Sequence, residues 1–290
     1  MYSQIDDNKR KSWALMLIFA VVIVALGWVW GKYSGDQYGP VIIAVLLATI
    51  LNLISWLAGD KIALATAGAK PLVKADNPYI YRLVENLCIT AGLPMPQIYI
   101  INDPAMNAFA TGRDPQHSSI ALTTGIIKGL ENEELEGVIA HELSHVKNYD
   151  IRLMMIVIVC VGIITLLADW LLRSFMWRGR DNNDRGSNGI IMLIGIILSI
   201  LSPLFAKLIQ LSISRRREFL ADASGALLTR YPEGLARALE KISAQSQALK
   251  HANKATAHLY IANPFSGKNV ANLFSTHPPI EERIAALRKI

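Results

Sequence analysis

Cysteine and charge are both scarce in this chain of 290 residues. Its two cysteines, Cys88 and Cys160, lie far apart, so nothing indicates a disulfide framework or a cysteine-ligated metal site. Charged residues make up only 18% of the chain, whereas apolar residues make up 52%. A soluble globular protein carries more charge than this, so the composition predicts a membrane protein. The sequence also shows no internal repeat and no low-complexity segment.

Four apolar runs are long enough to cross a bilayer as helices, which rise about 1.5 Å per residue. They comprise residues 13–30, 41–58, 151–172 and 190 to about 213. The first run follows a basic triplet and could pass for a signal peptide. It is too long for that, however, and no small-residue cleavage site follows it. We therefore expect it to remain as a membrane helix.

Basic residues flank these runs and give the chain a net charge of +6. Since they do not line an aromatic-rich groove, we expect no nucleic-acid partner and take the lipid bilayer as their neighbour. By the positive-inside rule, they place the N-terminus and the soluble segments 60–150 and 214–290 in the cytoplasm. The segment 173–188, which carries four arginines, would then lie outside and go against that rule.

The pattern His-Glu-Leu-Ser-His at residues 141–145 points to metal chemistry. Residues four apart on a helix lie one above the other, so His141 and His145 can bind one zinc ion while Glu142 reaches its bound water. Asn132 is the expected N-cap of this helix. Because the motif is short, two histidines and a glutamate on an amphipathic helix could also form a cluster without a metal.

A small β-sheet is expected to precede this helix. Strand-like composition with turn residues between the segments occurs at 97–102, 107–112 and 118–123. Amphipathic helices are expected at 77–91, where Gly92 closes the helix, at 232 to about 250, and at 279–290.

A catalytic zinc ion needs a third protein ligand, and Glu218 is the candidate. By helical rise, Glu218 lies about 8–10 Å after the end of the fourth apolar run, and the two histidines lie about 9–15 Å before the start of the third run. If these two runs form an antiparallel pair of helices, Glu218 and the histidines lie at the same distance from the membrane. Asp222, one turn after Glu218, and Asp150 could each accept a hydrogen bond from a histidine ring. Alternatively, Glu218 pairs with a neighbouring arginine, and the aspartates are surface charges or caps.

The chain resembles the HtpX family of membrane zinc metalloproteases, which are related to the CAAX prenyl proteases. The matching motifs, in order, are Asn-Ala-Phe-Ala-Thr-Gly at 107–112, His-Glu-Leu-Ser-His, Ser-Arg-Arg-Arg-Glu-Phe-Leu-Ala-Asp at 214–222, and Asn-Leu-Phe-Ser-Thr-His-Pro-Pro at 272–279. The resemblance implies zinc held by His141, His145 and Glu218, with Glu142 as the catalytic base on the cytoplasmic side of a bacterial inner membrane. It also implies endopeptidase activity in the quality control of membrane proteins. The polar N-terminal leader and the arginine-rich segment 173–188 do not match the family pattern.

The chemistry expected from these residues is peptide hydrolysis. Glu142 would accept a proton from the zinc-bound water and pass it to the leaving amine. The oxyanion needs a further donor, for which the resemblance indicates His277, with Asn107 as a second candidate. His277 could instead be a structural residue at the turn before two prolines. The strand 107–112 would be a sheet edge to which an extended, unfolded polypeptide substrate adds.

We therefore expect a mainly α-helical membrane protein with four transmembrane helices and a cytoplasmic α+β catalytic domain of the zincin type, with a small β-sheet. Its expected parts are a transmembrane hairpin (1–59), a first catalytic part with the sheet and the histidine helix (60–150), a second transmembrane hairpin (151–213), and a second catalytic part with the Glu218 helix (214–290). The main alternative is a catalytically inactive zinc-binding membrane scaffold, which would not need the Glu142 carboxylate. A zinc transporter would need ionisable groups deep within the spans, but only Asp169 and Lys207 occur there, both near span ends.

Overall fold

The computed structural model describes residues 2–36, 38–178, 197, 215–245, 247–250, 256–263 and 278–290. Over these ranges the chain is mainly helical and contains a small sheet. The α-helices are α1 (Tyr2–Ser34), α2 (Gly39–Thr66), α3 (Pro78–Ala91), α4 (Thr124–Gly129), α5 (Asn132–Lys147), α6 (Asp150–Arg178), α7 (Arg215–Thr229), α8 (Pro232–Ala244) and α9 (Ile280–Leu287). The strands are β1 (Ala69–Pro71), β2 (Gln97–Ile101), β3 (Ala108–Asp114) and β4 (His117–Thr123). The fourth predicted span apart from residue 197, most of the arginine-rich segment, and His277 lie outside the described residues.

The chain divides into two compact units. One comprises Met1–Lys9, Asp60–Met155 and Ser212–Ile290, and the other comprises Arg10–Gly59 and Ile156–Leu211. The first unit contains the sheet, the histidine helix α5 and the helices that follow the membrane segments. It also includes the first turns of α1, a feature that the sequence did not predict.

Within the described residues, three helices are long and apolar enough to cross a membrane, and they coincide with the first three predicted runs. They are Gln4–Lys32, Gly39–Thr66 and Asp150–Leu167. In the first two, only 22% and 17% of the most apolar window is buried by protein. Large apolar side chains exposed along both helices, such as Leu17 and Ile42, are typical of a surface in contact with lipid tails. Trp13 and Trp56 stack at 5.6 Å between ring centroids and join α1 to α2.

The sheet has the strand order β1-β2-β4-β3, with β2 and β4 parallel and the other pairs antiparallel. Strands β2, β3 and β4 agree with the three predicted segments to within a few residues. Strand β1 was not predicted, because three residues that include a proline are too short to show an alternating pattern. Strand β3 lies at the edge of the sheet, as the sequence predicts, and its buried face packs against α5.

Local sequence determines the ends of helix α3, whereas a tertiary contact determines the end of helix α8. The Asn77 side chain caps α3 by accepting a backbone hydrogen bond at 3.2 Å, and Gly92 ends the helix with a positive φ of 65°. Helix α8, by contrast, ends at Ala244, although the sequence predicted it to reach about residue 250. The Gln245 side chain makes two hydrogen bonds to the backbone of Met106, at 2.6 and 2.7 Å. This tertiary contact overrides the local helical pattern.

The N-cap predicted for the histidine helix is wrong by one residue. Helix α5 begins at Asn132, and its N-cap is Glu131. The Glu134 carboxylate accepts a hydrogen bond from the Glu131 backbone N–H at 2.9 Å, which is half of a capping box. The Asn132 side chain instead accepts from the Tyr79 hydroxyl at 2.6 Å, so it joins α5 to α3.

Candidate metal centre

Helix α5 is buried along most of its length, from Glu134 to Val146 apart from Glu136. It packs against β3 on one side and against α7 and α8 on the others. Two glycines permit this close approach. A Cβ on Gly225 of α7 would lie 3.0 Å from the backbone N of His141, and a Cβ on Gly137 would lie 2.8 Å from the backbone N of Leu235 on α8. The absence of these side chains lets α7 lie directly beside the histidine motif.

Three side chains from α5 and α7 converge on one point. His141, His145 and Glu218 each offer a ligand atom, and the three atoms lie within 4.8 Å of one another. The two imidazole Nε2 atoms are 3.2 Å apart. The carboxylate oxygens of Glu218 lie 3.9 Å from His141 Nε2 and 3.7 Å from His145 Nε2. All three residues are at most 5% exposed.

This arrangement fits a metal ion. A tetrahedral zinc ion with bonds of about 2.1 Å separates its ligand atoms by about 3.4 Å, close to the separations found between the three groups. Each histidine also turns its Nδ1 towards a carboxylate, at 2.9 Å in both cases. At His145, where Nδ1 is hydrogen-bonded to Asp150, donation of the Nδ1 proton would leave Nε2 as an electron-pair acceptor in the neutral ring. Two imidazole nitrogens and a carboxylate that face one another in a buried site could hold a metal ion between them.

His141 receives its support from Asp222 on α7. An Asp222 oxygen lies 2.9 Å from His141 Nδ1. Arg283 of α9, itself fully buried, donates two hydrogen bonds to the same carboxylate at 2.7 and 2.8 Å and a third to the Ile261 carbonyl at 3.2 Å. Burial alone would raise the pKa of Asp222, but the charge and hydrogen bonds of Arg283 lower it to about 2. Asp222 therefore stays ionised next to the ring of His141.

His145 receives its support from Asp150, the first residue of α6. Asp150 Oδ2 lies 2.9 Å from His145 Nδ1. Burial lowers the pKa of His145, but the hydrogen bond to Asp150 and the charge of Glu218 raise it by more, to about 9. The surroundings thus favour positive charge at this histidine, which a bound divalent cation would provide. Both aspartates thus lie 2.9 Å from a histidine Nδ1, and their role in orienting the two rings stays a prediction.

Glu142 lies between the two histidines in sequence and is 2% exposed. Burial raises its pKa, and the nearby Glu218 carboxylate adds to this, although the two histidines and a hydrogen bond from the backbone of Ala110 act in the opposite direction. A carboxylate with a raised pKa is a better proton acceptor than a free one. Ala110 lies on the edge strand β3, so Glu142 contacts the strand proposed to bind substrate.

Of the two candidate oxyanion donors, Asn107 lies in the part of the chain that the structure describes. Asn107 is buried just before β3, where its Nδ2 donates to the Ala262 carbonyl at 3.0 Å and its Oδ1 accepts from the Ala108 N–H at 3.1 Å. These bonds fix the segment around Ala262 against the sheet, and the role of Asn107 as an oxyanion donor stays a prediction. His277 lies outside the described residues.

Arg283 is a site residue that the sequence reasoning missed. It lies on the apolar stripe of the C-terminal helix, together with Ile280, Ile284 and Leu287. A charged residue on an apolar stripe is a signal of a buried ion pair, and this signal was available in the sequence. Its partner Asp222 could not be read from the sequence, because the two residues are far apart in the chain.

Comparison with known proteins agrees with this geometry. Residues 74–290 match the model of peptidase family M48. The chain is 46% identical to the protease HtpX homolog of Dictyoglomus turgidum over 99% of this chain and 94% of that protein. It is 42% identical to the protease HtpX homolog of Tropheryma whipplei over 100% of this chain and 98% of that protein.

A solved structure, that of S. mikatae Ste24p, matches with a TM-score of 0.51 at 19% identity, over 99% of this chain and 67% of that one. This likeness concerns the fold alone. The family match and the curated relatives carry the assignment, together with a histidine motif that the fold brings next to a third ligand. The chain belongs to peptidase family M48 and is a membrane metalloprotease of the HtpX type.

Proposed function

We propose that the metal is zinc, held by His141, His145 and Glu218, and that the protein is an endopeptidase acting on misfolded or damaged membrane proteins. The observation that carries this proposal is the convergence of the three side chains at 3.2–3.9 Å with Glu142 beside them. Two imidazoles and one carboxylate are a ligand set of catalytic zinc sites, whereas magnesium and calcium prefer oxygen ligands alone.

Each residue of the site has a task in hydrolysis. Zinc in this position supplies a Lewis acid and lowers the pKa of water to near neutrality. Glu142 accepts the proton of the attacking water and delivers it to the leaving amine. Asp222 and Asp150 keep the rings of His141 and His145 in one orientation. By resemblance, His277 remains the proposed donor to the oxyanion.

The edge strand β3 supports the proposed substrate class. An extended polypeptide can add to a sheet edge through main-chain hydrogen bonds, which demand little of its sequence. The start of this edge is already covered by the chain itself, because the Ile261 N–H donates to the Ala108 carbonyl at 3.0 Å. The part of the edge near Ala110, which contacts Glu142, is therefore the place proposed for substrate. A site of this kind suits unfolded segments of membrane proteins.

The proposed location is a bacterial inner membrane, with the N- and C-termini and the catalytic unit in the cytoplasm. The positive-inside rule supports this orientation, because basic residues cluster before the first apolar helix and at the start of α7. The count of four transmembrane helices and a zincin-type catalytic domain belong to the same proposal.

The decisive experiment separates catalysis from metal binding. Glu142→Gln keeps the size of the side chain and removes its basicity, so we expect zinc to be retained while cleavage of an unfolded membrane protein in detergent falls on the order of 10²–10⁴-fold. Glu136→Gln, the same change on the same helix at a partly exposed position, is the matched control and should cleave like the wild type. A chelator should stop cleavage by the wild type, and added zinc should restore it.

Wild-type cleavage by zinc-loaded Glu142→Gln would refute the proposed mechanism. If the wild type binds zinc but cleaves no unfolded membrane protein, the inactive zinc-binding scaffold becomes the better description of this protein.

A further inference from the structure

We propose that Asn8, in the first turns of α1, is a positioning residue for the metal centre and acts through Asp150 on His145. The inference rests on the metal site proposed above, and it gives a task to the polar N-terminal leader that the family pattern left unexplained. Asn8 is 2% exposed and belongs to the same compact unit as the metal centre.

The contacts form a short chain of hydrogen bonds. Asn8 Nδ2 donates to Asp150 Oδ1 at 2.7 Å and to the Asn148 carbonyl at 2.9 Å. The other oxygen of the same carboxylate, Asp150 Oδ2, lies 2.9 Å from His145 Nδ1. One carboxylate oxygen is thus held by Asn8 and the other holds the histidine. Fixing the first oxygen restricts rotation of the carboxylate, and this in turn fixes the ring of His145.

Helix α7 completes the arrangement from the other side. Arg217 Nη1 lies 3.3 Å from Asn8 Oδ1 and 3.4 Å from Asp150 Oδ1. Arg217 directly precedes Glu218, so the residue that contacts both Asn8 and Asp150 is the chain neighbour of a proposed metal ligand. Arg283 binds both oxygens of Asp222, whereas the arginine contact that the described residues give to Asp150 is this longer one from Arg217. Asn8 supplies the short hydrogen bond at Asp150.

The turn between α5 and α6 is held by the same part of α1. Tyr149 lies in this turn with a φ of 59°, which non-glycine residues adopt infrequently. Its ring has Lys9 Nζ at 4.5 Å and the Arg152 guanidinium at 4.8 Å, and both cations face the aromatic system. Asn8 and Lys9 therefore contact three consecutive residues, Asn148, Tyr149 and Asp150. The first turns of α1 act as a clamp on the segment that orients His145.

The test is the zinc affinity of the full-length protein in detergent, without a polyhistidine tag, measured by competition with a chromophoric chelator. We expect Asn8→Ala to lower zinc affinity about tenfold, the low end of the range for removing a group that orients a metal-bound histidine. Asp150→Ala should lower it by at least as much. Because Asn8 acts through Asp150, adding Asn8→Ala to Asp150→Ala should cause no further loss. The spectrum of the cobalt-loaded protein should change in Asn8→Ala, since it reports the geometry at the ligands.

Two controls separate positioning from a general loss of packing. Asp103→Ala removes a buried side chain of the same unit whose hydrogen bonds go to the backbone of Ala105 and Lys250, and it should lower thermal stability without changing zinc affinity. Asp6→Ala changes an exposed residue of the same turn of α1 and should have no effect on either. If Asn8→Ala does not fold, Asn8→Asp keeps the shape but replaces the donor with an acceptor, and its affinity should also fall.

The outcomes are distinct. The inference is overturned if Asn8→Ala or Asn8→Asp binds zinc with wild-type affinity. It is also overturned if Asn8→Ala lowers zinc affinity equally in the wild type and in Asp150→Ala. Both results would leave the proposed metal site intact. Absence of zinc binding by the wild type would instead overturn the proposed metal site itself.

Discussion

Removal of the buried guanidinium of Arg283 is the perturbation whose size the structure defines best. Arg283 is fully buried and makes two hydrogen bonds, at 2.7 and 2.8 Å, to an Asp222 carboxylate that is itself 2% exposed. Arg283→Met keeps much of the volume but leaves that carboxylate without its cation. Breaking a buried ion pair on one side costs about 3–5 kcal/mol, which corresponds to a decrease in Tm of roughly 6–20 °C for a unit of this size. The freed Asp222 would also hold His141 less well, and zinc affinity should fall about 10–100-fold.

Arg288 provides a matched control on the turn that follows α9. It also contacts two carboxylates, those of Glu233 at 2.9 Å and Glu240 at 2.8 Å, but its side chain is 44% exposed. A solvent-exposed pair of this kind contributes about 0–1 kcal/mol, so Arg288→Met should change Tm by only a few degrees and leave zinc affinity unchanged. The assays are thermal unfolding in detergent at one scan rate and zinc titration against a chelator.

A double variant separates the two effects of Arg283. Arg283→Met combined with Asp222→Leu replaces the buried pair with apolar side chains, which often restores stability. We expect Tm to return close to the wild-type value while zinc affinity stays low, because the carboxylate that orients His141 is absent. If Arg283→Met unfolds at the wild-type temperature and binds zinc with wild-type affinity, the Arg283–Asp222 pair stabilises neither the fold nor the metal site.

Three further results are expected. Glu218→Ala should lose most of the zinc, whereas Glu240→Ala, the same change in the exposed ion pair with Arg288, should retain it. Full metal occupancy of Glu218→Ala in elemental analysis would show that Glu218 is not a ligand. Gly225→Val should lower both Tm and zinc affinity, because a branched side chain would meet the α5 backbone at about 3 Å; unchanged values in thermal melts and zinc titrations would show that α7 does not need this close approach. A cysteine that replaces the exposed Tyr38 should react with an impermeant maleimide on intact cells, whereas a cysteine that replaces the exposed Ile89 should react only after lysis. The opposite labelling pattern would show that the protein has the reverse orientation in the membrane.

The parts of this protein that the sequence predicts well are those set by neighbours in the chain. Helical spacing places His141 and His145 together, and Gly92 ends α3. The i,i+4 spacing also puts Asp222 on the face of Glu218. Each of these features depends on residues at most a few turns apart, for which the geometry of a helix is known in advance.

The parts that the sequence did not predict depend on contacts between distant segments. Asn8 meets Asp150 and Arg283 meets Asp222, and no local pattern encodes either pairing. The helix end at Gln245 has the same cause, since a contact with the backbone of Met106 overrides helix propensity there. The N-cap of α5 was also mispredicted because of a contact between distant segments: the Asn132 side chain is hydrogen-bonded to Tyr79 on α3, and Glu131 takes the N-cap position.

The wide spread of the site along the chain has a consequence during synthesis. The histidine motif leaves the ribosome long before Arg283, the residue that holds Asp222 in place, and at ordinary rates of translation the interval is on the order of 10 s. Throughout this interval His141 lacks its complete support. We therefore expect a nascent chain to carry the peptidase motif before its peptidase site is finished, and so to reach full activity only after its C-terminal helix has folded.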